Sequence, residues 1–397
     1  MISVAEAIAA VSSGFTLLST ERIGVADALG RVLTEDVCAR LDSPFADVSA
    51  MDGYAVRTVD VANAPATLTR IGESAAGAAF DGTLEARQCV RIFTGAPVPA
   101  GADAIVIQED TTVDGNAITM VEPAQPGRWV RRKGMDFAHG EVLLTAGTVL
   151  TGRHIGLAAA MNVPWLTVRR RPRVAILATG DELVMPGEAV GASQIISSNS
   201  LSIAAYVREL GGDPINLGIA TDSEESLHKM LAGAQGADLL ITIGGASVGD
   251  HDLVRRVLDG EGFDLNFFRV AMRPGKPLIF GQLGQVPVLG LPGNPVSAGV
   301  TAVIFLRPAM NIMLGVAQSD APDETALLGR DLAANDQRQD YLRATLSIDD
   351  DGRRMATPFD AQDSAMMARF AAADCLVIRA PHAPLAKAGD TVEIIVL

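Results

Sequence analysis

The sequence predicts a multidomain α/β plus β protein. We expect a central, doubly wound, mostly parallel α/β domain, an inserted β-domain, a helical and extended scaffold, and a C-terminal β-domain. Three observations carry this. Between Val174 and Ser297, the apolar runs VAILATGDEL, LLITIGGASVGDHD and VPVLGLPGNPVSA each end in a loop rich in glycine, proline or acid, with VAMRPGKP lying before the third. Strand and helix patterns alternate through this stretch, and near-continuous apolar strands in βα order mark a parallel sheet covered on both faces. At about 55–125, and from about 320 to the end, short strand-like runs separated by turn residues replace that alternation.

Bulk properties set the limits. With 397 residues, 48% of them hydrophobic, the chain is long for one domain and should divide into two to four. A net charge of −15 argues against an electrostatic grip on nucleic acid or an anionic membrane surface, so an anionic substrate needs a local basic pocket. Cys38, Cys89 and Cys375 lie far apart, without CxxC or His pairing, which argues against a disulfide framework or a zinc site and for a reducing, cytoplasmic setting. The five histidines are scattered and suggest neither a metalloprotease nor a hydrolase triad.

In chain order, Ser3 and Glu6 form a capping box that opens an amphipathic helix over residues 4–12, with Val4, Ala7, Ile8 and Val11 on one stripe. The opening segment carries an early acid and no basic leader region, and no apolar run is expected to span a bilayer. A second short helix is expected over Val25 to Leu33. CVRIF, AIVIQED and AITMVE are strands of the insert, after which a helix starts at Thr151. The expected division is a scaffold of 1–43 and 138–168, an inserted β-domain of 44–137, an α/β domain of 169–315 and a C-terminal β-domain of 316–397. The arginine-rich run 169–173 reads as a polar hinge. Beyond it, strands at 174–178, 215–219, 238–243 and 286–291 alternate with helices at 200–210, 223–234 and 253–259. A hairpin is expected near 266–282, and a helix from Pro295 to Met310.

Ligands in open α/β sheets sit outside the carboxyl ends of the strands, which places the chemistry in the loops. Gly244, Gly245, Ser247 and Gly249 follow a buried strand and precede a helix, so their amides can cradle a phosphate, although the run is neither a Walker loop nor GxGxxG. A plain tight turn explains it equally well. Asp250 and Asp252 follow. Asp252 reads as a Mg²⁺ ligand through phosphate oxygens or as the N-cap of the next helix, with nothing to separate the two. Glu182 beside Asp181 leans slightly towards an acid or metal role over a turn. Asp222 with Glu225 reads as a helix N-terminal box. Arg273 and Lys276, held between prolines, favour an anion site. Pro292, Gly293 and Asn294, with Asn294 at N-cap and Pro295 at N1, start a helix whose first turn is also an anion site. Arg131, Arg132 and Lys133 form a basic triplet that most simply faces solvent.

MDGYAV, RIFTGAPVP, VRRKGMDF, ILATGDELV, SNS, TIGGASVGDHD, MRPGKP and GLPGNPVSA stand in this order along the chain. Together they resemble the molybdopterin molybdenumtransferase (MoeA) family, which includes the C-terminal domain of gephyrin. The resemblance runs from the first helix to the last strand. It implies insertion of molybdate into adenylylated molybdopterin (molybdopterin-AMP) with Mg²⁺, releasing AMP and molybdenum cofactor. It also implies a homodimer whose cleft combines the α/β domain of one subunit with the insert of the other. Matched motif by motif, it assigns function to Asp52, Thr94, Asp136, Glu182, Asp222, Asp252, Lys276 and Ser364, with Glu182, Asp222 and Asp252 as the metal set. The molybdopterin adenylyltransferase and acceptor molybdoenzymes are the protein partners it suggests. Two other readings stay open: an adenylyltransferase-like activity, which would not need the insert, and a non-catalytic dimeric scaffold, which would not need the carboxylates. Arg273 stands where many relatives have Lys, and Ala246 where a β-branched residue is common.

Overall fold

This computed structural model describes residues 1–244, 253–316 and 324–397. The chain forms two compact units, one of Met1–Glu21, Gly30–Val32 and Arg169–Leu397, the other of Arg22–Leu29 and Leu33–Val168.

In the first unit, a six-stranded sheet runs in the order Asp213–Ala220, Arg173–Thr179, Leu239–Ile243, Val286–Leu291, Pro277–Leu283, Phe263–Arg269. The first four strands are mutually parallel and the last two antiparallel. Alternation decides which face each side chain joins. Val174, Ile176, Leu239 and Ile241 enter one apolar core, while Ala175, Leu177 and Leu240 enter the other. Both faces are covered, so the strands read as unbroken apolar runs. Helix Val4–Ser13, with the expected capping box, buries Val4, Ala7 and Val11 in the first of these cores.

The run Pro295–Leu314 is helical throughout and longer than expected, with a π turn at Ala302–Leu306 between two α segments. Pro308 lacks an N–H for the ladder, a standard cause of such a local widening. At 20 residues and mean hydropathy 1.4 this helix is long and apolar enough to cross a bilayer, contrary to the sequence expectation. With 78% of its apolar stretch buried inside the protein, the helix belongs to the core.

The C-terminal strands close on themselves. Gln339–Ile348, Arg354–Pro358, Glu324–Leu328, Thr391–Val396 and Cys375–Arg379 pair in sequence, and the last pairs back to the first, giving a small barrel. The two-residue strand Met272–Arg273 of the α/β region adds to it in parallel. In the arginine run 169–173, expected as a polar hinge, Arg170 forks onto Asp238 at 2.7 and 2.6 Å, and Arg169 donates to the Leu18 carbonyl at 2.6 Å.

The second unit holds a six-stranded sheet ordered Ala104–Ile107, Gly53–Val56, Gln88–Ile92, Ala66–Ser74, Ala117–Met120, Thr111–Asp114. Tyr54 and Val56 pack on one face and Ala55 on the other. Helix Gly152–Ala160 starts after Thr151 as expected. The helix expected over 25–33 is only a 3-10 turn, Val25–Asp27. Gly30 adopts φ +73°, and Leu33 bridges to Val168, so strand pairing replaces the helix.

Candidate active site

The geometry of the site follows from strand register. Thr179 stands opposite Ala220, Ala178 opposite Ile243, and Ile243 opposite Leu291. The segments leaving these ends, Gly180 to Glu182, Thr221 and Asp222, Gly244, and Pro292 to Asn294, therefore emerge along one sheet edge, where an open α/β sheet binds its ligand. A cleft of about 560 Å³ lies there, its polar wall formed by Thr179, Glu182, Asn199, Gly244, Asn294 and Ser297. Ile195 and Ile196, on a short strand paired with Leu183–Val184, add an exposed apolar lip.

Glu182 folds back over Gly180. A Cβ at Gly180 would lie 2.4 Å from Glu182 Oε2, and its φ of +141° disfavours any side chain. Asp222 is not the helix cap that the sequence suggested: Ser223 caps helix Glu224–Leu231 by accepting from the Ser226 N–H. The Asp222 N–H donates to Asp181 Oδ1 at 3.0 Å. Both carboxylates, Glu182 and Asp222, are exposed, and neither is ion-paired within the described residues.

Across the cleft, Asn294 holds the N-cap position and Pro295 N1, but the Asn294 side chain makes no cap bond. Its Nδ2 donates instead to Ser364 Oγ at 3.0 Å, and the Val296 N–H donates to the Ser364 carbonyl at 3.1 Å. The loop carrying Ser364 is anchored on Arg343. This residue is 1% exposed; its guanidinium donates to the Asp363 carbonyl at 2.9 Å, while Gln362 Oε1 accepts from the Arg343 N–H at 3.0 Å. Burial lowers the pKa of this guanidinium. Asn199 Nδ2 donates to the Gly293 carbonyl at 2.6 Å, fixing the loop before Asn294.

Arg273 departs from the anion-site expectation. Its Nε donates to Asp340 Oδ1 at 2.9 Å, its Nη2 bonds Asp340 Oδ2, and Asn335 and Asp336 stand beside it. Its charge is thereby committed to carboxylates. Lys276 is exposed, next to Pro277 of the cleft wall, and has no carboxylate partner among the described residues.

The second unit carries its own constellation. Asp52 precedes strand Gly53–Val56 and Thr94 follows Gln88–Ile92; these strands pair, with Gly53 opposite Ile92. Thr94 donates to Asp52 Oδ1 twice, from N–H at 2.7 Å and from Oγ1 at 2.8 Å. These bonds, the backbone one first, hold the Asp52 carboxyl below the usual range, with a smaller contribution from Arg91. Arg132 pairs with Asp47 at 2.5 Å and Lys133 with Asp42 at 3.1 Å, so two cations of the basic triplet are already engaged. Asp136 is exposed, and its N–H donates to the Ser43 carbonyl at 2.9 Å.

Residues 2–162 match the MoeA N-terminal region (domain I and II), 175–311 the "Probable molybdopterin binding domain", and 325–397 the MoeA C-terminal region (domain IV). A molybdopterin molybdenumtransferase of Haemophilus influenzae is 35% identical over 94% of this chain and 93% of its own. The chain belongs to the MoeA family. One of Nostoc sp. is 38% identical over 83% of this chain and 78% of its own. The solved molybdopterin biosynthesis MoeA protein of Pyrococcus horikosii superposes with a TM-score of 0.83 at 29% identity, covering 100% of this chain and 99% of that one. MoeA proteins are transferases of molybdenum cofactor biosynthesis, and this chain is one of them.

Of the MoeA motif residues, the structure brings Glu182, Gly244, Pro292, Gly293 and Asn294 to one cleft, with Ser364 bonded to Asn294 at its rim. Asp52 pairs with Thr94 in the other unit. Gly245, Ser247, Gly249, Asp250 and Asp252 lie outside the described residues, and among the described residues no group of three His, Cys, Asp or Glu side chains is arranged to hold a metal. Sequence reasoning assigned no role to Asn199 or Arg343. Asn199 lies inside the SNS motif but reads as a helix-start residue, and Arg343 sits in an unremarkable strand pattern.

Proposed function

We propose that this chain inserts molybdate into adenylylated molybdopterin, releasing AMP and molybdenum cofactor. The observation that supports this most directly is the sheet edge, where two carboxylates without an ion-pair partner among the described residues, Glu182 and Asp222, leave adjacent strands beside a cleft lined by backbone and amide donors. Phosphate oxygens suit the helix N-terminus at Pro295. Lys276 adds a positive charge for the anionic substrates in a chain of net charge −15.

Carboxylates beside phosphates repel them unless a cation lies between, and the exposed Glu182 and Asp222 fit two positions of a Mg²⁺ site. When bound, Mg²⁺ would neutralise charge on the phosphoanhydride oxygens. The chain's own part is to orient: Asn294 and Ser364 fix one rim, Asn199 fixes the loop at Gly293, and Gly180 leaves room for the Glu182 carboxylate. A water oxygen joins the adenylyl phosphorus as the anhydride bond breaks, AMP leaves, and molybdopterin keeps its phosphate. The same reading carries a cytoplasmic homodimer, which light scattering and fractionation check.

The test is incubation of purified protein with molybdopterin-AMP, Mg²⁺ and molybdate, following AMP release and reconstitution of a molybdenum-free acceptor enzyme. Molybdate-dependent AMP release together with reconstitution is expected. Nucleotide that binds but stays intact with every oxyanion would overturn the reading in favour of a scaffold.

A further inference from the structure

The turn that carries Lys276 is held on three sides. Strand Met272–Arg273 pairs in parallel with Gln339–Asp340 of the barrel, and the Gln339 N–H donates to the Ala271 carbonyl at 2.9 Å. The Val270 N–H closes the turn onto the Lys276 carbonyl at 3.1 Å. Gly275, at φ +106°, lies so close to the helix that begins at the cleft that a Cβ there would be 2.5 Å from Thr301 Cγ2. The ammonium group beyond this frame is exposed and unpaired among the described residues.

At the barrel end of the frame, Asp340 is 4% exposed and receives the Arg273 guanidinium as a fork, through Nε at 2.9 Å and through Nη2. Burying a carboxylate is costly, and a well-packed apolar pair of similar volume often stabilises as well or better. An ion pair does what an apolar contact does less well: a bidentate guanidinium admits one orientation. Asp336 at 3.5 Å and Asn335 at 3.3 Å complete the cage around Arg273.

We propose that Asp340 is a positioning residue for Lys276: by forking Arg273 it fixes the turn that presents Lys276 to the anionic substrate. This rests on the transferase reading above. Asp340, 4% exposed, acts through the Arg273 side chain and the backbone of residues 272–276.

The test is a double-mutant cycle on the full-length protein, read by steady-state AMP release with molybdopterin-AMP and molybdate. D340N is expected to lower kcat/KM on the order of tenfold to a hundredfold, the scale of a misplaced functional group, with KM carrying most of the loss. In a K276A background D340N should add less than about twofold, because coupled sites are not additive. R273Q, altered at a half-exposed side chain, should repeat both results and serves if D340N does not fold. Equal losses with and without Lys276 would show a purely structural pair and overturn the proposal. If K276A alone leaves the kinetics unchanged, the assignment of Lys276 to the site falls, and the positioning role falls with it.

Discussion

Asn294 Nδ2 donates to Ser364 Oγ across 3.0 Å, joining the start of the last α/β helix to a loop of the C-terminal barrel. Seventy residues apart in sequence, they meet at the rim of the cleft. Because Asn294 makes no cap bond of its own, its amide serves this link.

N294A and S364A should therefore each lower stability by about 0.5–1.5 kcal/mol, the net worth of one hydrogen bond. The double variant should cost much less than the sum of the two. Urea denaturation measures this, and full additivity would show that the two side chains act independently.

G180A should behave like a loss of Glu182. The added methyl would sit 2.4 to 2.7 Å from the Glu182 carboxylate at a backbone φ of +141°, so that carboxylate must leave its position. Strain on the order of 1–3 kcal/mol is expected. For both G180A and E182Q, calorimetric titration should show Mg²⁺ affinity in the nucleotide complex about 10- to 100-fold weaker. Unchanged affinity in both would remove Glu182 from the cation site.

The Asp52 carboxyl is held low by the Thr94 N–H and then by the Thr94 hydroxyl. A pKa lower in the folded than in the unfolded state gives stability that is present above the unfolded value and lost as pH falls through the folded one. T94A keeps the N–H and loses the hydroxyl, so the Asp52 midpoint should rise part of the way towards its ordinary value. Carboxyl ¹³C NMR below neutral pH reads this directly. An unmoved midpoint would mean that the hydroxyl contributes nothing.

Helix Pro295–Leu314 buries Phe305 completely. F305A should cost about 3–5 kcal/mol in chemical denaturation, as for a large core side chain. A loss near zero would contradict burial of that side chain.

Much of the fold was legible because its signals are local. The strand before Gly180 and the strand before Gly244 announce themselves by unbroken apolar runs ending in glycine, and the capping box at Ser3 and Glu6 spans one turn. The expected helix at 25–33 failed because apolar spacing says nothing of Leu33 pairing with Val168. Arg273 misled for a similar reason. A cation between prolines looks free until a buried aspartate 67 residues later is placed against it. Asp222 was read as a cap, but Ser223 took that position.

By itself the sequence determined the parallel sheet, the C-terminal strands and the residue types that mark a MoeA protein. Each is written in periodicity, turn chemistry or contiguous motif. Tertiary structure alone decided that Ser364 meets Asn294, that Arg343 anchors the Ser364 loop, and that Arg273 is spent on Asp340 while Lys276 stays unpaired among the described residues. These are pairings across long chain separations. They depend on how strands register and barrels close, and no local pattern of residues encodes which distant partner a side chain will reach.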